Sequence, residues 1–160
     1  MEKLKICENK GADMVSDKKE LLILIIEDDP GDQKLIKAAI MNQEYGVKLM
    51  ISPAGEAAMS YLQMCKEAPE QYQKPCLILL DLNMPGMGGK EFLREIKADD
   101  ELCAIPVVVV TTSDSETDVQ DCYRLQAAGY IQKSAVPEEF NEVVKKMTRY
   151  WFLASAVVKV

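Results

Sequence analysis

Leu21-Leu22-Ile23-Leu24-Ile25-Ile26-Glu27-Asp28-Asp29-Pro30 sets six aliphatic residues against three acids and a proline. A continuous aliphatic run of that length reads as a strand covered on both faces, since a half-buried strand would alternate with polar residues. Two more runs end in a polar residue in the same way. They are Cys76-Leu77-Ile78-Leu79-Leu80 before Asp81, and Val107-Val108-Val109-Val110 before Thr111-Thr112-Ser113. Val47-Lys48-Leu49-Met50-Ile51 is weaker, and its lysine suggests an exposed edge strand. The weakest is Gly129-Tyr130-Ile131-Gln132 before Lys133.

Between these strands, apolar residues recur at spacings of three and four, which predicts amphipathic helices. The helices are expected over about Pro30–Ile40 (Leu35, Ile36, Ala39 and Ile40 inward), Glu56–Cys65 and Gly89–Ala98. Two more follow, over Ser115–Ala127 (Val119, Cys122, Tyr123) and Pro137–Tyr150 (Phe140, Val143, Val144, Met147). Pro30 and Pro137 suit first turns, where a missing N–H costs nothing, while Pro75 and Pro106 sit just ahead of strands. Five strand–helix pairs in alternation imply an α/β fold: a doubly wound five-stranded parallel sheet with helices on both faces. In such a sheet the ligand site lies beyond the carboxyl ends of the strands.

The 160 residues fit one domain, and 48% apolar content supports a core. Residues 1–20 are polar and mixed in charge, and read as a flexible tail; residues 21–149 form the domain, and 150–160 an aromatic and apolar extension. The net charge of −7 disfavours direct nucleic-acid binding, which needs a basic footprint. No window reaches the roughly 18 uncharged apolar residues of a membrane span, and residues 1–20 lack a signal-peptide core. Five cysteines, odd in number and with no CxxC, read as free thiols of a reducing compartment, so cytoplasm is expected. No histidine is present, which removes every imidazole-based scheme from this chain, including Ser-His-Asp triads and HExxH zinc sites.

Glu27, Asp28, Asp81, Thr111 and Lys133 stand at or just past strand ends, so the fold gathers them at one mouth. Clustered carboxylates repel one another unless a cation is present, and a hard divalent ion such as Mg²⁺ suits an oxygen-only site. Each acid alone could be a solvated helix-start residue, but a lysine and a hydroxyl ending strands beside them favour a reactive site. A carboxylate next to a divalent cation and an amine is suited to attack a phosphoryl group. Residue chemistry does not choose the nucleophile. Asp81 is favoured because it ends the central strand and enters the turn Leu82-Asn83-Met84-Pro85-Gly86.

The chain resembles the receiver domain of two-component response regulators. Four segments carry the resemblance, in the family's order: Ile25–Asp29, Leu79–Gly89, Pro106–Ser113 and Gly129–Lys133, with 30 positions from Asp81 to Thr111 and 22 from Thr111 to Lys133. The resemblance implies a flavodoxin-like sheet in the strand order 2-1-3-4-5. It implies that Asp81 is the phosphoacceptor and that Asp28 binds Mg²⁺ directly. Glu27 would act through water, and Asn83 would offer its backbone carbonyl. Lys133 would pair with the phosphoryl group and Thr111 would move toward it, with Tyr130 as the switch aromatic. A sensor histidine kinase would be the donor. The product would be a signalling switch, not an enzyme in the usual sense, with self-catalysed phosphotransfer and slow autodephosphorylation.

Ser134 follows Lys133 where most receivers have proline, which puts the usual cis peptide in doubt, and Thr112 is larger than the small residue common at that position. The run Thr111-Thr112-Ser113 and the extension Tyr150-Trp151-Phe152-Leu153-Ala154-Ser155 resemble stand-alone receivers that partner cyanobacterial-type phytochrome kinases. The extension fits homodimerisation, kinase docking, or folding back on its own helix. Competing readings are weaker. A haloacid-dehalogenase-like phosphatase needs an acid two residues past the nucleophile, where Asn83 stands. A flavin binder would not tolerate Glu27-Asp28-Asp29 at its phosphate loop, and Gly86–Lys90 is no P-loop. A pseudo-receiver that is never phosphorylated would not need the complete residue set.

Overall fold

A computed structural model describes residues 4–8, 20–41 and 46–154. In chain order the elements are β1 (Lys5–Glu8), β2 (Leu21–Ile26), α1 (Pro30–Met41), β3 (Val47–Ser52), α2 (Gly55–Glu67) and β4 (Leu77–Leu80). There follow α3 (Gly89–Ala98), β5 (Val107–Thr111), α4 (Glu116–Arg124), β6 (Gly129–Gln132), α5 (Pro137–Arg149) and a π-helical turn, Tyr150–Ala154. The sheet order is β1-β3-β2-β4-β5-β6. Its last five strands are parallel and carry the expected 2-1-3-4-5 order.

The sixth strand corrects, at Lys5–Glu8, the expectation that residues 1–20 form a flexible tail, and it makes the sheet six-stranded rather than five-stranded. Lys5–Glu8 pairs antiparallel with β3, setting Ile6 opposite Met50 and Glu8 opposite Lys48. The physical reason is that a strand edge leaves a row of N–H and C=O groups unpaired, and a short segment of the chain's own start satisfies them. The lysine of β3 therefore does not mark the edge of the sheet; it faces a glutamate across a strand pair, a favourable cross-strand arrangement. The rest of the expected tail, residues 1–3 and 9–19, and the end of the extension, residues 155–160, lie outside the described residues.

The period of two along each strand sorts its side chains into two layers. Leu22, Leu24 and Ile26 of β2 join Ile78, Leu80, Val107 and Val109 against α2, α3 and α4, where Leu62, Phe92 and Ile96 are buried. Ile23 and Ile25 join Leu77, Leu79, Val108 and Val110 against Ile36 and Ile40 of α1 and Phe140 and Val144 of α5. Both faces of β2, β4 and β5 are thus covered, which is why their sequences are aliphatic without alternation. Each such side chain contributes roughly 1.5–3 kcal/mol through burial.

Three side chains expected inward are not. Leu35, Tyr123 and Val143 are all exposed. Each lies beside the buried stripe of its helix, and α1 and α4 are held by narrow stripes, with Cys122 the buried residue of α4. Trp151 and Phe152 are half-buried and pack on the α1/α5 layer. The described start of the extension therefore folds back, through these two rings, onto its own domain.

Candidate functional site

The backbone ladder runs on past the strands and fixes the residues at their ends. Glu27 N–H donates to the Ser52 carbonyl (3.0 Å), Asp81 N–H to the Ile26 carbonyl (3.0 Å) and Lys133 N–H to the Thr111 carbonyl (2.7 Å). These bonds bring the acids, the hydroxyl and the amine to one end of the sheet. One carboxylate oxygen from each of Glu27, Asp28 and Asp81 lies within 4.8 Å of the others. Glu27 is 1% exposed and Asp81 6%. Thr111 is fully buried, and its Oγ1 accepts from Asn83 Nδ2 and from the Ser113 N–H, both at 3.4 Å. Tyr130 is half-buried on the α2/α3/α4 layer, and its hydroxyl donates to the Ser113 carbonyl at 2.9 Å.

Lys133 Nζ is 2.6 Å from Glu27 Oε2 and 2.7 Å from Asp32 Oδ2, but 3.9 Å from Asp81 Oδ1. The ammonium is thus hydrogen-bonded to Glu27 and Asp32 and stands within Coulombic reach of Asp81. Burial opposes the Lys133 charge, yet the bonds to Asp32 and Glu27 outweigh it and raise the pKa above the usual lysine value. At Glu27 burial wins: it pushes the carboxyl up to about 7 against the pull of the same ammonium and of the Asp29 N–H. Burial also raises Asp81, opposed by the Lys133 charge, the amides of Asn83 and Leu82, and the Thr111 side chain. Three oxygen donors with more negative charge than one ammonium offsets are the donor set that a hard divalent cation takes. The residues present therefore fit Mg²⁺.

Two glycines make room for this geometry. A Cβ on Gly89 would run into the Asp81 carbonyl oxygen and stand 2.7 Å from Leu82 Cα, so α3 can start this close to the Asp81 backbone only with glycine. Gly86 adopts φ of +74°, in the left-handed region, and a Cβ there would run into Glu56 Oε1.

Three contributors are not evident from the sequence. Asp32, in the first turn of α1, reaches Lys133 across 101 positions of sequence. Its backbone N–H is held by Asp29 Oδ1 (2.8 Å), which caps α1, and that cap is the signal that could have pointed to it. Glu56 of α2 accepts the Met87 N–H at 2.6 Å and so ties down the loop that carries Asn83. Gln33 Nε2 donates to the Glu27 carbonyl at 2.7 Å. The Lys133–Ser134 peptide is trans, as the departure from proline suggests. Ser134 Oγ instead accepts from the Val136 N–H (3.1 Å) at the entry to α5. Thr112 is exposed beside the mouth.

Known proteins of similar sequence and fold identify the family. The family model for the response regulator receiver domain matches residues 23–145. Response regulator Rcp1 of Synechocystis sp. is 38% identical over 130 residues, spanning 81% of this chain and 88% of that protein. The probable methanogenesis regulatory protein FilR2 of Methanothrix harundinacea is 31% identical over 141 residues, spanning 88% and 90%. Among solved structures, the Mn²⁺-bound form of Rcp1 superposes with a TM-score of 0.80 at 36% identity, covering 87% of this chain and 99% of that one. The phosphorylated cyanobacterial phytochrome response regulator RcpA gives 0.82 at 35% identity, covering 88% and 100%. On its sequence and its fold alike, this chain belongs to the response regulator receiver domain family.

Proposed function

We propose that Asp81 accepts a phosphoryl group from a phosphohistidine on a partner sensor kinase, and that the modified domain switches its binding partners. The observation that carries this reading is the placement of Asp81, 6% exposed, between two further carboxylates, the Lys133 ammonium and the Thr111 hydroxyl. One Asp81 carboxylate oxygen attacks phosphorus while the P–N bond to the donor imidazole breaks, the electron pair leaving with the ring nitrogen. No histidine lies among these 160 residues, so the donor phosphohistidine lies outside them.

Glu27, Asp28 and Asp81, with the Asn83 carbonyl, would hold Mg²⁺, which when bound supplies neutralising charge beside the phosphoryl oxygens. Lys133 supplies the remaining positive charge, and its 6%-exposed side chain keeps that charge poorly screened. Thr111 offers a hydroxyl from a fixed strand end, and its movement would reach Tyr130 through Ser113, which bonds to both. Burial of Asp81 limits access of water, in keeping with a product that lasts long enough to signal. RcpA is a cyanobacterial phytochrome response regulator, and the likeness to it favours a phytochrome-like kinase as the donor. Among the described side chains of the extension, Tyr150, 56% exposed, is the one a homodimer would use, since Trp151 and Phe152 face their own domain.

Intact-mass measurement after treatment with Mg²⁺ and a small acyl or amido phosphate tests the reading. The expected result is one added phosphoryl group on the wild-type protein and none on Asp81→Asn. Equal labelling of both proteins would place the nucleophile elsewhere and overturn the assignment.

A further inference from the structure

Among the described residues, Asp32 stands outside the three-carboxylate cluster and meets the site through Lys133. The ammonium has three N–H donors. Glu27 and Asp32 take two of them at 2.6 and 2.7 Å, while Asp81 at 3.9 Å lies beyond hydrogen-bond reach. The backbones at both ends of the Asp32–Lys133 pair are pinned, Asp32 N–H on the Asp29 side chain and Lys133 N–H on the Thr111 carbonyl. Only the side chains are free to rearrange.

We propose that Asp32 is a positioning residue for the phosphoacceptor reaction: it holds the Lys133 ammonium on the α1 side of the site while Asp81 is unmodified, and releases it when Asp81 carries a phosphoryl group. The inference rests on the receiver reading of Asp81. A phosphoryl group on Asp81 brings a dense set of anionic acceptors toward Lys133; the third N–H can donate to them, but carrying the ammonium across the present 3.9 Å gap lengthens one of its two existing bonds. Glu27 is the poor candidate. Its side chain is 2% exposed, and its other oxygen already accepts the Asp29 N–H at 3.0 Å. The Asp32 side chain is 30% exposed, so water replaces the ammonium there at little cost. An interaction made in the unmodified state and lost in the modified one raises the free energy of modification. Asp32 is therefore a brake on the switch, and it acts through Lys133.

The test is a titration of the full chain with beryllofluoride in the presence of Mg²⁺, followed by calorimetry. Thermal unfolding in EDTA is measured beside it. Asp32→Asn is expected to raise beryllofluoride affinity roughly two- to fivefold, the range of a partly exposed ion pair. The same variant unfolds about 1–3 °C lower when metal-free, because a resting-state bond is gone. Asp32→Glu, which keeps the charge, restores the wild-type affinity. In a Lys133→Met background Asp32→Asn leaves affinity unaltered, which separates action through the lysine from a general effect of removing a negative charge. Affinity that is unchanged or lowered in Asp32→Asn overturns the proposal, as does a persisting effect without Lys133. Failure of the wild-type protein to bind beryllofluoride at all would instead sink the receiver reading beneath it.

Discussion

Lys90 Nζ lies 2.7 Å from Asp118 Oδ1, and this ion pair ties the first turn of α3 to the first turn of α4. Asp121, one turn further along α4, is 2.8 Å from the same nitrogen. The other Asp118 oxygen accepts from the Ser113 hydroxyl, and the Ser113 carbonyl accepts from Tyr130. Lys90 starts the helix after the Asp81 loop, while Ser113 follows Thr111. The chain of contacts therefore connects the two loops that flank Asp81.

Lys90→Met should release the start of α4. Because all three side chains are partly solvent-exposed, the pair contributes no more than about 1 kcal/mol, and high salt should erase most of that difference. Urea denaturation of both proteins at low and high ionic strength reads it directly. The pH dependence has a definite sign. The hydrogen bond to Lys90, then that to Ser113, hold Asp118 below the usual carboxylate range, so its contribution is present above the unfolded value near pH 4 and fades as pH falls through the folded one. The stability gap between wild type and Asp118→Asn should be constant from about pH 8 to about pH 5 and narrow below that. A gap that widens on acidification would contradict the pairing.

Gly89→Ala places a methyl group where the Asp81 carbonyl oxygen and Leu82 Cα already stand. Backbone atoms cannot turn aside as a side chain can, so α3 and the Asp81 loop must separate. The expected loss is about 1–3 kcal/mol of stability, the usual scale of overpacking. Phosphoryl uptake should fall along with it. Gly88→Ala is the control: among the described residues a Cβ there would have the Leu82 carbonyl oxygen as its neighbour within 4 Å, at 3.8 Å, and both properties should stay near wild type.

Mg²⁺ affinity should rise with pH between about 6 and 8. Burial raises Glu27 to about 7 in the metal-free protein, so at about pH 6 the proton competes for the oxygens that the cation would use. If Glu27 alone titrates, affinity falls up to about tenfold per pH unit well below its pKa, and flattens above it. The stability sign follows: the folded state binds this proton more tightly than the unfolded chain. Metal-free stability therefore declines as pH climbs from about 4.5 to about 7, and added Mg²⁺ offsets the decline. Calorimetric titration across this range, with Glu27→Gln beside it, checks both. A flat profile in the wild-type protein would place the titrating proton elsewhere.

Much of this molecule is legible along the chain because its strands are buried on both faces. Ile23 and Leu24 pack into opposite layers, yet both layers are apolar, so the run reads as a strand before any partner is known. β2 and β6, and α3, fall where spacing and punctuation put them. β1 does not announce itself, because Lys-Ile-Cys-Glu is four residues long with one large apolar side chain, Ile6, that stays exposed. Its pairing depends on an open edge on β3, which is a property of the assembled sheet.

The alternation of strands and helices is written in local order, and with it the carboxyl edge on which Glu27, Asp28, Asp81, Thr111 and Lys133 stand. Each of those positions is a polar residue closing or following an apolar run, and needs no distant partner to be read. Which charges meet is settled only when the layers pack. Lys133 turns to Glu27 and Asp32, 106 and 101 positions away, and stays 3.9 Å from Asp81. Glu56 similarly reaches a loop 31 positions on. Coulombic and hydrogen-bond energies depend on separation in space, and hydrophobic periodicity carries no information about which distant charges will be brought close.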